Sequence, residues 1–339
     1  MAQKASVLLV GAGGVGTIAA VNLEKGGLAS VTTVLRSNYK KVVADGFNIQ
    51  SIDHGEMKSW KPSQVLNEIP HHSAIQFDYI VVSTKNIADS HPTTAEVIEP
   101  AVVPGKTTIV LIQNGLNIEK PFFEKYPQNI CLSGVSLIGS KEASPGCIEQ
   151  DDPDRLIIGP FANPNIERAT QEAAAKRFVE IYSASGKTVC TYISTDDVPF
   201  QRWQKLVYNA CLNTICAVTG LDTGRIRLAE DLVETLVRPV MNEIVTAAAA
   251  CGITLPDGIV DKMINIDPLE IYLRPSMLED ADRGNLTEFE NILGEPLREG
   301  TSRGVAMPTA TFLYHTLKAI QWKCKERKGQ ITIPAKSVL

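Results

Sequence analysis

The first part of the chain alternates short uninterrupted apolar runs with longer mixed segments. Val7-Leu8-Leu9-Val10 is apolar without alternation and stops at glycine, as a strand buried on both faces does. The stretches SVTTVLR (30–36), DYIVVST (78–84), TTIVLIQN (107–114) and ICLSGVSLIG (130–139) read as further strands, with helix-like segments at 86–100 and 117–126 between several of them. Strands alternating with helices predict a parallel, doubly wound sheet. RLIIGP, a helix near 165–184 and the strand KTVCTYIS continue the pattern. TDDVPFQ (195–201) then signals a turn and a helix start, and 197–219, 224–251, 257–265, 276–283, 287–304 and 308–325 all read helical. The expectation is an α/β domain over 1–194 followed by an all-helical domain over 195–339.

The turn between the first strand and first helix is Gly11-Ala12-Gly13-Gly14-Val15-Gly16, a G-x-G-x-x-G arrangement. Such glycines bend the chain, let backbone approach a pyrophosphate and pack helix on strand. The free N–H groups and the dipole of the helix start favour the phosphate charge. A tight turn also needs glycine for local reasons, but the strand-turn-helix context points to a Rossmann-type, dinucleotide-binding sheet. The second strand ends in Arg36-Ser37-Asn38 with Lys40 and Lys41 close behind, and no carboxylate lies between Glu24 and Asp45. A basic residue there meets the 2′-phosphate of NADP, so NADPH is favoured; a solvated surface arginine is the plain alternative. Thr84-Lys85-Asn86 and Gln113-Asn114-Gly115 fall at two further strand ends, where ligands bind in open α/β sheets. Asn-Gly is also a turn dipeptide in its own right.

RWQKLVYNACLNTICAV is a strongly apolar helix carrying Lys205, Asn209 and Asn213 at a spacing of four. Each drifts only about 40° from the last, so all three share one side. Burying such groups without partners costs about 1–3 kcal/mol each, which suggests a ligand-facing stripe. The bland reading is a stripe facing solvent. A buried lysine has its pKa lowered toward the range useful in acid/base catalysis. A second cluster holds Ser276 and, past the Gly284-Asn285 loop, Thr287-Glu288, which would begin a helix. Taken alone, Glu288 is no more than a favourable charge in a first helical turn.

The 339 residues allow about two domains. A hydrophobic content of 44% supports proper cores, and the net charge of −5 with no dense basic run makes nucleic acid and anionic membrane poor partners. The seven cysteines contain no C-x-x-C and suit a reducing compartment. The five histidines make no metal-ligand spacing, so no metal site is expected. A strand begins too soon for a secretory signal, no apolar segment approaches a membrane span, and the Ser-Val-Leu ending resembles only loosely the peroxisomal Ser-Lys-Leu. The protein is expected in the cytoplasm.

Together the glycine turn, Lys85, Gln113-Asn114-Gly115, the Lys205/Asn209/Asn213 stripe, and Ser276-Met277-Leu278 with Asp280 leading to Thr287-Glu288 resemble the ketopantoate reductases, the 2-dehydropantoate 2-reductases of pantothenate biosynthesis. The resemblance implies NADPH-dependent reduction of ketopantoate to pantoate. It makes Lys205 the general acid and Glu288 the carboxylate that organises the ternary site. Asn209, Asn213 and Ser276 would hold the keto acid, Asn114 would lie near nicotinamide and substrate, and Arg36 and Lys85 would secure NADPH. Two positions depart from the family pattern: Thr223-Gly224 where many relatives carry Asn-Gly, and Gln113 where His is common. They put the identity of the acid in doubt more than the reaction. The alternatives are a related 2-keto acid reductase or mandelate-type 2-hydroxyacid dehydrogenase, and a non-catalytic NADP(H)-binding sensor. The expected partner is a small 2-keto acid, with a homodimer left open by the sequence.

Overall fold

A computed structural model describes residues 4–334, so the Ser-Val-Leu ending lies outside the described residues. The chain divides into two compact units, one of residues 1–86, 92–114 and 118–198, the other of 87–91, 115–117 and 199–339.

The first unit is built on one sheet: β1 (Ala5–Val10), β2 (Ala29–Val34), β3 (Phe47–Ser51), β4 (Gly55–Trp60), β5 (Gln64–Leu66), β6 (Tyr79–Val82), β7 (Thr108–Leu111), β8 (Cys131–Ser144), β9 (Cys147–Pro160) and β10 (Val189–Tyr192). Their order is β4-β3-β9-β8-β7-β6-β1-β2-β5, with β10 beside β9. The sheet is mostly parallel. Only β8 with β9 and β3 with β4 run antiparallel. Because strand side chains alternate between faces, Val7 and Leu9 join one core with Ile18, Phe178 and Ile181, while Leu8 and Val10 join another with Ile98, Ile118 and Phe122. Helices therefore cover both faces, as the apolar runs require. Strands β3, β4 and β5 are absent from the sequence expectation. β3 alternates buried and exposed positions, β4 has no buried residue and β5 is three residues long.

Helix Gly14–Lys25 is fixed on the sheet by a buried polar cluster. Asn22 Nδ2, the Tyr182 hydroxyl and the Thr188 hydroxyl donate to Asp154 Oδ2 at 2.8, 2.7 and 3.0 Å. Burial pushes the Asp154 carboxyl up, and these donors oppose the shift.

In the second unit, helix Val198–Tyr208 runs into a π-helical segment, Asn209–Asn213, and on through Thr214–Thr219. Left-handed Gly220 ends it. The expected helix over 224–251 is broken: Thr223–Leu228 stops at Ala229, and Val233–Val237 leads into Arg238–Ala250. The remaining helices are Ile259–Ile264, Ser276–Asp282, the π segment Glu290–Gly294 continued by Glu295–Ser302, and Pro308–Arg327. Their apolar faces meet in one core around Trp203, Leu206, Cys211, Met241, Leu278, Phe289 and Leu313. Among the described residues no helix is long and apolar enough to cross a membrane.

Candidate cofactor and substrate sites

In the first unit, β7, β6, β1 and β2 are adjacent and parallel. Their carboxyl ends bring Gln113, Thr84, the glycine turn and Arg36 to one edge. Each glycine of the turn has its own reason. Gly11 has φ +97°, a left-handed conformation. A side chain on Gly16 would run into the Gly11 carbonyl and the Ser83 hydroxyl, whereas one on Gly13 would meet nothing within 4 Å. That open space beside the helix start is where a pyrophosphate fits. The Ser83 hydroxyl donates to Gly11 O at 2.5 Å, and Gln113 Nε2 donates to Thr84 O at 2.8 Å, so the strand ends are tied to the turn and to each other.

A cavity of about 360 Å³ opens here, with Gly11, Ala12, Gly13, Arg36, Ser37 and Asn38 in its wall. Arg36 is exposed and Asn38 buried. Asn38 Nδ2 donates to Ala12 O at 3.3 Å and to Glu142 Oε1 at 2.8 Å, which fixes the wall. Two carboxylates, Glu68 and Glu142, also line the cavity; neither was singled out from the sequence. Gly14, Val15 and Gly16 lie in the first turn of the helix behind it. Lys85, which is exposed, and half-buried Asn114 are outside this lining. The open turn, the helix N-terminus and the neighbouring guanidinium together fit a dinucleotide.

In the second unit, Lys205 and Asn209 are half-buried and Asn213 is 5% exposed. The π segment alters the expected stripe. Four α-helical residues overshoot a full turn by about 40°, while the wider π turn, with its i to i+5 bonding, makes four residues fall short of one. The second step thus returns Asn213 toward the line of Lys205. Asn213 Oδ1 is buried without a hydrogen-bond partner among the described residues. The helix headed by exposed Ser276 packs against the Asn209–Asn213 segment.

Lys205 is pushed down to about 8, chiefly by desolvation and then by the charge of Arg202, with Glu288 acting in the opposite direction. Glu288, 9% exposed, sits just ahead of the helical residues rather than inside a first turn. The π segment that follows it packs against the Asn209–Asn213 segment. The fold brings the charge of Glu288 within reach of Lys205 across a long separation in sequence, and adds Arg202, which sequence reasoning passed over. Arg202 is 4% exposed and donates to Gly115 O at 2.9 Å. The available signal was a lone arginine one turn before the lysine in an apolar helix. Asn291 Nδ2 donates to Leu116 O at 3.0 Å, holding the same loop. Thr223 is buried, and its N–H donates to Leu273 O at 3.0 Å. Among the described residues no group of three His, Cys, Asp or Glu side chains could hold a metal ion.

Residues 7–163 match the family model described as ketopantoate reductase PanE/ApbA, and residues 197–321 match that of its C-terminal part. The chain belongs to the ketopantoate reductase family. It is 35% identical to an uncharacterised protein of Saccharomyces cerevisiae, over 98% of each chain. The crystal structure of 2-dehydropantoate 2-reductase from Methylococcus capsulatus is similar at 30% identity, with a TM-score of 0.73 over 94% of this chain and 97% of that one. The ternary structure of D-mandelate dehydrogenase with NADH and anilino(oxo)acetate shares the fold, with a TM-score of 0.78 at 20% identity over 94% and 99%. Membership makes this chain an NAD(P)-dependent oxidoreductase acting on CH–OH groups, of the kind that reduces 2-keto acids.

Proposed function

We propose that this member of the family reduces ketopantoate to pantoate with NADPH, as a step of pantothenate biosynthesis, with Lys205 as general acid. The observation that carries the reading is Lys205 itself: a half-buried lysine whose pKa is lowered to about 8 chiefly by desolvation, with Arg202 adding to the shift and Glu288 opposing it. When bound, the cofactor supplies a hydride to the carbonyl carbon. The carbonyl oxygen then gains the electron pair of the broken π bond. A proton from Lys205 Nζ neutralises it, and a lysine with a pKa near the working pH is both charged and ready to donate. Glu288 keeps that lysine protonated against desolvation and Arg202. Asn213 Oδ1, buried and unpartnered, is an acceptor for a substrate hydroxyl, and Asn209 and Ser276 complete the polar set. Arg36, exposed in the wall of the cavity, would meet the 2′-phosphate; Gly11 to Gly16 would take the pyrophosphate, and Lys85 and Asn114 would add cofactor contacts.

The initial rate of NADPH oxidation by the purified protein tests this, with ketopantoate compared against a bulky aromatic 2-keto acid. Saturable turnover that favours ketopantoate is expected. Turnover of the aromatic acid alone would keep the chemistry and overturn the substrate, pointing to buried Thr223 as the changed position. NADPH binding with no turnover of either acid would make the chain a sensor.

A further inference from the structure

Glu288 stands immediately before the helical residues and its carbonyl accepts from the Ile292 N–H at 3.1 Å, while the residue before it, Thr287, is held by a buried glutamine from another element. Gln321, on helix Pro308–Arg327, is 2% exposed. Its Oε1 accepts from the Thr287 N–H at 2.9 Å and from the Thr287 hydroxyl at 3.4 Å. Its Nε2 donates to Thr287 O at 3.4 Å and to Asp89 Oδ1 at 3.0 Å. Both peptide groups of Thr287 are thereby gripped, and the one carrying Thr287 O leads directly into Glu288. One turn along the helix, Lys325 Nζ donates to Asp89 O at 2.6 Å and pairs with Asp89 Oδ2 at 2.6 Å. A carboxylate can only accept, so Asp89 forces the amide to present Nε2 to it and Oε1 to the Thr287 N–H. Lys325 holds Asp89 in place.

We propose that Gln321, oriented by Asp89 and Lys325, is a positioning residue that aims the Glu288 carboxylate toward Lys205. This rests on the role given to Glu288 above. Gln321 touches neither substrate nor cofactor in this account. Its effect reaches the reaction through the charge that Lys205 feels from Glu288, set against that of Arg202 on its own helix.

The test compares kcat, KM, NADPH affinity and the pH profile for three variants of the full chain, with thermal unfolding as the control for folding. Glu288→Gln should move the alkaline limb to lower pH, because the charge that keeps Lys205 protonated is lost. Gln321→Glu keeps an acceptor for the Thr287 N–H but removes the donor to Asp89 and Thr287 O. It should lower kcat on the order of tenfold to a hundredfold, move the same limb in the same direction and leave NADPH affinity unchanged. The double variant Asp89→Asn/Gln321→Glu exchanges donor and acceptor across that pair but leaves Thr287 O without its donor, so the limb should return only part of the way to wild type. An alkaline limb unmoved in Glu288→Gln overturns the role of Glu288 itself. A limb moved by Glu288→Gln but not by Gln321→Glu, or one that the double variant does not move back at all, overturns the positioning role alone. If Gln321→Glu does not fold, the double variant decides: a limb between those of wild type and Glu288→Gln supports the proposal, and one identical to wild type overturns it.

Discussion

The buried, unpartnered oxygen of Asn213 identifies a residue whose chemistry is not used up by the fold. An unmet buried acceptor costs about 1–3 kcal/mol, so a side chain of similar size without it should not harm the native state. Asn213→Leu is expected to leave the thermal midpoint unchanged or higher while raising KM for the keto acid about tenfold or more, the loss of one hydrogen bond. Lower stability with an unaltered KM would make Asn213 a packing residue. Under the proposed function, Arg36, exposed in the cavity wall, would set the cofactor preference. Arg36→Asp should weaken NADPH binding much more than NADH binding, measured by fluorescence titration; equal losses would remove the phosphate contact. Of these residues, Arg36, Asn213 and Lys205 are legible in the sequence because each is a polar interruption at a strand end or on an apolar helix. Arg202 and Gln321 are not, since their partners, Gly115 and Thr287, are close only after folding.

At the scale of elements, the glycine turn separates folding from binding. A methyl on Gly13 meets nothing within 4 Å, and Gly13 has φ −77°, open to any residue. Gly13→Ala should therefore fold normally and lose cofactor affinity, because the methyl enters the space the pyrophosphate needs. Gly16→Ala collides with the Gly11 carbonyl, and overpacking of this kind costs about 1–3 kcal/mol, read as a lower thermal midpoint. Equal cofactor affinity in Gly13→Ala and wild type would place the pyrophosphate elsewhere. The core strands β1, β6 and β7 are legible because burial on both faces leaves continuous apolar runs, and β2, ASVTTV, by its β-branched residues. β4, GEMKSW, is not, because its pairing with β3 and not its own burial makes it a strand. The π segment at Asn209–Asn213 is equally hidden, since widening one turn leaves the apolar periodicity intact while altering which polar residues line up.

At the scale of the whole molecule the proposed chemistry divides between the two units: the glycine turn and Arg36 belong to the first, Lys205 and Glu288 to the second. The change from alternating strands and helices to helices alone makes that division legible. Cofactor affinity and proton donation should accordingly be separable by mutation. The most direct measurement is the pH dependence of NADPH oxidation with saturating keto acid, for wild type and Lys205→Ala, beside NADPH titrations of both. A general acid must be protonated, and Lys205 loses its proton near pH 8. The wild-type rate should therefore hold below that pH and fall as pH rises through it. Lys205→Ala should bind NADPH normally, turn over about 10²–10⁴-fold more slowly and lack the alkaline limb. Near-normal turnover in Lys205→Ala, or an alkaline limb that persists without Lys205, would contradict the account.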